Sequence, residues 1–114
     1  MKKFIILVRE TEPPIDKPNE QELKDQRAKW DQWFAKYRAS GNFVGGSGLS
    51  PDGKMIKGGG VEVINEAHHT DNERVAGYLL IKAETLDEAV EIAKELPTYR
   101  FGGFTEVREL RVDD

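Results

Sequence analysis

The sequence predicts an α+β fold, a ferredoxin-like plait in which two helices lie on one face of an antiparallel sheet. Three observations carry that expectation. Strand and helix patterns follow in the order strand, helix, strand pair, strand, helix, strand, which makes two strand–helix–strand passes. The first strand pattern is apolar on both sides, as a central strand is. The stretch from Thr70 to Pro97 also spells out a strand and a helix with their own start and stop signals. At 114 residues the chain is expected to form one domain over 1–114.

Strand one is predicted from Lys3 to Arg9, with Phe4, Ile6 and Val8 on one side and Ile5 and Leu7 on the other. Thr11 to Pro18, rich in proline, is a loop. Helix one follows, capped by Asn19 with Glu22 in the capping-box position, and closed by Gly41 where a left-handed residue is favoured. Its inward stripe is Leu23, Gln26, Trp30, Trp33, Phe34 and Tyr37. Asn42 to Lys57 reads as a glycine-punctuated strand that turns at Pro51-Asp52-Gly53. Gly58 to Gly60 turns again, Val61 to Ile64 returns as a strand, and the polar Asn65 to Asn72 is a loop holding both histidines.

Tyr78 to Ile81, between Gly77 and Lys82, is a short strand buried on both faces. Thr85 caps helix two, with Glu88 placed to return a bond to the cap's own N–H. Glu84, Asp87 and Glu88 crowd the positive end of the helix dipole and Lys94 the negative end. Leu86, Ala89, Val90, Ala93 and Leu96 make the apolar stripe, and Pro97 ends it. Tyr99 to Gly103 is a loop. Phe104 to Val112 is the last strand, its imperfect alternation marking an edge or a bulge, and Asp113 and Asp114 form a tail.

With both helices on one face, the other face of the sheet needs a cover. A second copy of the same sheet is the simplest one, so the expected partner is a homodimer mate. Composition narrows the remaining partners. A formal charge of −4 argues against general nucleic-acid binding, which needs a basic surface to displace counterions. No apolar run approaches the roughly 20 residues of a membrane span. The N-terminal run Phe4 to Val8 is too short for a secretory leader and no small-residue cleavage site follows, so a cytoplasmic location is expected. Without cysteine, disulfides, thiolate catalysis and Cys-based zinc sites are excluded.

Few motifs carry chemistry. Gly45-Gly46-Ser47-Gly48 lacks both a helix-opening third glycine and a Lys-Ser/Thr pair, so it is no phosphate loop; sharp turning or close backbone approach explains it. Arg100 to Phe104 has aromatic and glycine residues out of place for an RNA-binding strand. His68-His69-Thr70-Asp71 is the one cluster suited to acid–base chemistry, since an imidazole exchanges a proton near neutral pH and a carboxylate can orient it. Its first reading is nonetheless a solvated polar loop. A metal site there would need a further ligand such as Glu66 or Glu73, and no metal or cofactor is expected. Trp30, Trp33, Phe34 and Tyr37 on one helix are a heavy aromatic load, which serves core packing or lines a pocket or interface.

Several stretches together resemble the YCII-related (DGPF-domain) family. They are Gly41 to Pro51, Ala76 to Ile81, Thr85 to Ala89 and the closing Gly102 to Arg108. The resemblance implies a dimeric α+β barrel in which two plaits pack sheet to sheet, in a bacterial family often encoded near sigma factors and mostly without established activity. The family's Asp-Gly-Pro-Phe signature falls on Asn65-Glu66-Ala67-His68, where none of the four residues matches.

The leading reading is a cytosolic homodimer that binds a small organic molecule in a cleft between helix one and the sheet. Trp30, Trp33 and Tyr37 would form the walls, Gly45 and Gly46 would allow close backbone approach, and His68 or His69 would supply the polar contact. A second reading is a lyase, isomerase or monooxygenase-like enzyme using His68 or His69, with Asp71, for proton transfer. A third is a regulatory or interaction protein without pocket chemistry.

Overall fold

The computed structural model describes residues 1–11 and 18–111. Strand β1 (Lys2–Thr11) leads to helix α1 (Glu20–Ala39), then to β2 (Phe43–Gly48) and a small ribbon, β3 (Met55–Lys57) with β4 (Glu62–Ile64). The long strand β5 (Glu73–Ala83), helix α2 (Leu86–Lys94) and β6 (Phe104–Glu109) complete the chain. The main sheet has the order β2-β5-β1-β6, antiparallel throughout, and β3–β4 forms a separate two-stranded sheet. With the ribbon set aside as an insertion, this is the strand order of the ferredoxin-like plait. Among the described residues no helix is long and apolar enough to cross a membrane.

The apolar periodicity of β1 decides where the core sits. Phe4, Ile6 and Val8 are buried, and their register partners on β5 are Ile81, Leu79 and Gly77. Trp33 and Tyr37 of α1 and Ala89, Ile92 and Ala93 of α2 close over that side, with Leu96 following. Paired residues in an antiparallel ladder share a face, so Ile5, Leu7, Tyr78 and Leu80 point the other way, where no helix among the described residues covers them. The chain is accordingly a thin slab, 48 × 44 × 19 Å.

Local signals position α1 well. Asn19 accepts from the Glu22 N–H at 2.8 Å, Glu22 accepts from the Asn19 N–H at 3.4 Å, and Gly41 follows the helix with φ 81°. The cap of α2 differs from expectation: Thr85 does accept from Glu88 N–H at 3.1 Å, but the Glu88 carboxylate accepts from Glu84, not from Thr85. Leu23 and Leu86 were expected to face inward and are 42% and 50% exposed. Both lie in the first turn of their helix, whereas the fully buried faces begin at Trp33 and Ala89. Strand β5 extends well before Tyr78 because Glu73, Arg74 and Val75 pair with Thr11, Glu10 and Arg9, a polar stretch with no apolar pattern to announce it. Strand β6 is an edge strand and ends at Glu109; the predicted loop residues 12–17, Val112 and the tail Asp113 and Asp114 lie outside the described residues.

Candidate functional site

A cleft of about 320 Å³ opens between α1 and the sheet. Trp30 and Phe34, one turn apart on α1, form its wall, their rings stacked at 5.7 Å and 28°. Val8, Gly46, Gly48, Gly77 and Leu79 line the sheet side, and among the described residues Glu10 is the one charged residue along it.

Gly46 and Gly77 leave two gaps in the sheet side because β2 and β5 approach too closely for a Cβ at those positions. A Cβ on Gly46 would collide with the Tyr78 carbonyl and lie 2.9 Å from the Leu79 Cα. One on Gly77 would lie 2.9 Å from the Ser47 carbonyl oxygen and 3.2 Å from the Gly48 Cα. Real Cβ atoms do not pack at such distances, so glycine is dictated at both positions. Gly48 is different: among the described residues a Cβ there meets nothing within 4 Å. Its missing side chain leaves the cleft open instead of relieving a clash.

Of the residues expected to form one aromatic pocket, Trp30 and Gly46 come together in this cleft. Trp33 and Tyr37 do not line it. Trp33 is 3% exposed and donates from Nε1 to the Ile92 carbonyl at 3.1 Å, which locks it between the helices. Tyr37 is buried with its hydroxyl donated to Glu95. Burial, and then the bond to Glu95, pushes the Tyr37 phenol up from its ordinary pKa. Gly45 pairs with Leu80, on the uncovered face of the sheet, because adjacent strand residues point to opposite sides.

His68, His69 and Asp71 stand apart from the cleft, in the loop before β5. His69 holds its Nδ1 2.9 Å from the Asp71 carbonyl oxygen and its Nε2 3.9 Å from Glu66. Asp71 takes a left-handed backbone, φ 55°, as an aspartate in a tight turn can. The Asp71 atom beside the imidazole is thus its main-chain carbonyl. His68 makes no hydrogen bond or ion pair among the described residues and borders two adjoining concavities of about 470 and 380 Å³. The second is also lined by Arg9, Thr70, Arg74 and Val75. Among the described residues no group of three or more His, Asp or Glu side chains is placed to hold a metal ion.

A family model described as the YCII-related domain matches residues 3–112. The chain belongs to the YCII-related family. Curated proteins provide no match to it.

In this YCII-related chain the cleft offers shape, apolar stacking and one carboxylate, which suits binding more than bond-making. The loop offers an exposed imidazole with neighbouring cations, which suits proton transfer. Gly48 and Gly77 belong to the cleft although sequence reading did not single them out as site residues, and Phe34, read only as part of the aromatic load of α1, forms its wall. Gly48 and Gly77 face each other only through the β2–β5 register, which no local pattern encodes. Arg9 joins the histidine loop for the same reason, brought to it by the pairing of β1 with β5, whereas Arg74 simply follows the loop in the chain.

Proposed function

We propose that this YCII-related protein binds a small, flat, largely apolar organic molecule in the cleft between α1 and the sheet, and does so as a homodimer paired through the uncovered sheet face. The observation that carries the reading is Gly48: its absent side chain borders open space beside the Trp30 and Phe34 rings, with no neighbour among the described residues that requires glycine. An aromatic wall over a floor of glycine and aliphatic positions favours a planar guest, whose ring gains stacking and whose edge can meet Glu10. Ile5, Leu7, Tyr78 and Leu80 support the dimer, as an apolar patch left open on a soluble sheet calls for a partner.

Native mass spectrometry of protein purified without added ligand tests both parts. The expected spectrum is a dimer with a discrete additional mass that disappears in Gly48→Leu, whose side chain fills the cleft. A ligand mass that survives Gly48→Leu and Trp30→Ala places binding elsewhere. A second reading, a proton-transfer enzyme, is favoured by one specific observation: His68 is exposed, without a partner among the described residues, and borders two concavities. Loss of turnover in His68→Ala with ligand binding retained would select it.

A further inference from the structure

We infer that the β3–β4 ribbon is a clasp that grips the second copy of this chain, an inference that rests on the homodimer proposed above. The ribbon pairs Met55 with Ile64, Ile56 with Val63 and Lys57 with Glu62. Ile56 and Val63 therefore sit side by side on one of its faces, and they are 67% and 54% exposed; Val61, at the turn, is 84% exposed. The ribbon packs chiefly against itself and its glycine turn. That turn, Gly58-Gly59-Gly60, has three successive positive φ angles of 59°, 70° and 92°, which loses more backbone entropy on ordering than any other three residues would. An isolated two-stranded hairpin is marginal in water even with a favourable turn. Apolar side chains on such an element gain their burial from a surface supplied by something else.

Shape and area identify that surface as a second copy. The Cα radius of gyration is 15.8 Å, against about 13 Å for a compact chain of this length. The slab that contains the ribbon is only 19 Å thick, so the ribbon extends sideways within the slab. Stacked slabs would bring each ribbon to the rim of the opposite body. Strands about 4.8 Å apart that rise about 3.3 Å per residue give the uncovered sheet face roughly 500 Å². Two such faces give a flat footprint of roughly 1,000 Å², small beside the roughly 1,200–2,000 Å² of accessible surface that a stable interface buries. A two-fold dimer uses every contact twice, and a reciprocal pair of ribbons makes up the shortfall. The ribbon's root also joins the same face. Lys54 Nζ donates to Asn65 Oδ1 at 2.8 Å across its base, and Asp52 and His68 beside it share a concavity with Arg9 and Val75, whose side chains point to the uncovered face.

Sedimentation velocity over a wide concentration range, comparing the natural chain with the triple variant I56S/V61S/V63S, tests the clasp. The natural chain is expected to dimerise and the variant to dissociate about tenfold more readily or worse, with unchanged circular dichroism. Because the chain has no cysteine, Val61→Cys accepts a benzophenone label at one position. Illumination of mixed isotope-labelled and unlabelled chains is expected to give cross-links between the two kinds of chain. A natural-chain dimer whose dissociation constant is unmoved in the triple variant, or whose Val61→Cys label links only within its own chain, overturns the clasp and leaves the dimer standing. A natural chain that stays monomeric at all concentrations overturns the dimer and the clasp with it. If the triple variant misfolds, the cross-linking result decides alone.

Discussion

The Tyr37 hydroxyl donates to the Glu95 carboxylate, fastening the last turn of α1 to the residue that caps α2. Lys36 Nζ reaches the same carboxylate at 2.9 and 3.0 Å, so one acid holds a phenol and an ammonium from adjacent positions of α1. The bond from Tyr37, and then that from Lys36, holds the Glu95 carboxyl below its ordinary pKa. Glu95 in turn raises Lys36 above its own. The two helices are thus tied at one end by a polar clamp and along their length by Trp33.

Tyr37→Phe keeps the buried ring and removes the donor, so it should lower unfolding free energy by about 1 kcal/mol. The clamp also sets a pH profile. Glu95, depressed in the folded state, stabilises above the ordinary carboxylate range and loses that contribution as pH falls through its folded value. Tyr37 and Lys36, both raised, stabilise below their ordinary values and lose that contribution as pH rises through their folded ones. Urea denaturation from acid to alkaline pH should show a plateau with both limbs falling, and Glu95→Gln should flatten the acid limb. An acid limb unchanged by Glu95→Gln would remove the clamp from the account of stability.

Neighbouring glycines of β2 should respond in opposite ways. Gly46→Ala drives a Cβ into the Tyr78 carbonyl and the Leu79 Cα at φ 154°, and should cost about 2 kcal/mol or more. Gly45→Ala and Gly48→Ala meet nothing within 4 Å. They should be neutral or slightly stabilising, by up to about 1 kcal/mol, through reduced freedom of the unfolded chain. Equal losses at all three positions, measured by thermal unfolding, would refute the close-approach explanation.

What the sequence showed about this fold was whatever is written in short-range patterns. Asn19 with Glu22, Thr85 before Glu88, Gly41 after α1 and the two-sided strand Phe4 to Val8 each name an element from residues a few positions apart. The plait order followed from the succession of those elements. The cleft was half legible, since the aromatic load of α1 marked a pocket wall, but Trp30 and Trp33 are three residues apart and three residues on a helix share a broad face. Which of them is core depends on α2, whose Ile92 carbonyl claims the Trp33 indole N–H. Gly45 and Gly46 lie together in sequence and on opposite sides of the sheet, a separation set by pairing register. The ribbon was half visible, since Val61 to Ile64 read as a strand and Met55 to Lys57 as the end of a longer one; its isolation from the body was not, because an exposed Val reads like a buried one.

The histidine loop should be separable from folding. His68→Ala removes a side chain with no hydrogen bond among the described residues, and its stability should stay within about 0.5 kcal/mol of the natural chain. His69→Ala releases the contact to the Asp71 carbonyl and should loosen the turn before β5, read as faster amide exchange at Asn72 and Glu73. Protection that stays unchanged in His69→Ala would show that the Thr70–Glu73 pairing holds the turn unaided.

The two tryptophans should report on two different environments. Trp33 is sealed in the core, whereas Trp30 is partly open along the cleft. In Trp33→Phe, the surviving indole should be quenched by acrylamide and should respond to a planar ligand. In Trp30→Phe, the emission should be blue-shifted, shielded from acrylamide and insensitive to that ligand. The stability costs should divide the other way. Trp33→Phe strands the Ile92 carbonyl and opens space between α1 and α2, at about 2–4 kcal/mol. Trp30→Phe keeps an aromatic face against Phe34 and should cost less than about 1 kcal/mol. A ligand response that persists in Trp30→Phe and vanishes in Trp33→Phe would move the binding site into the helix–helix seam and away from the sheet.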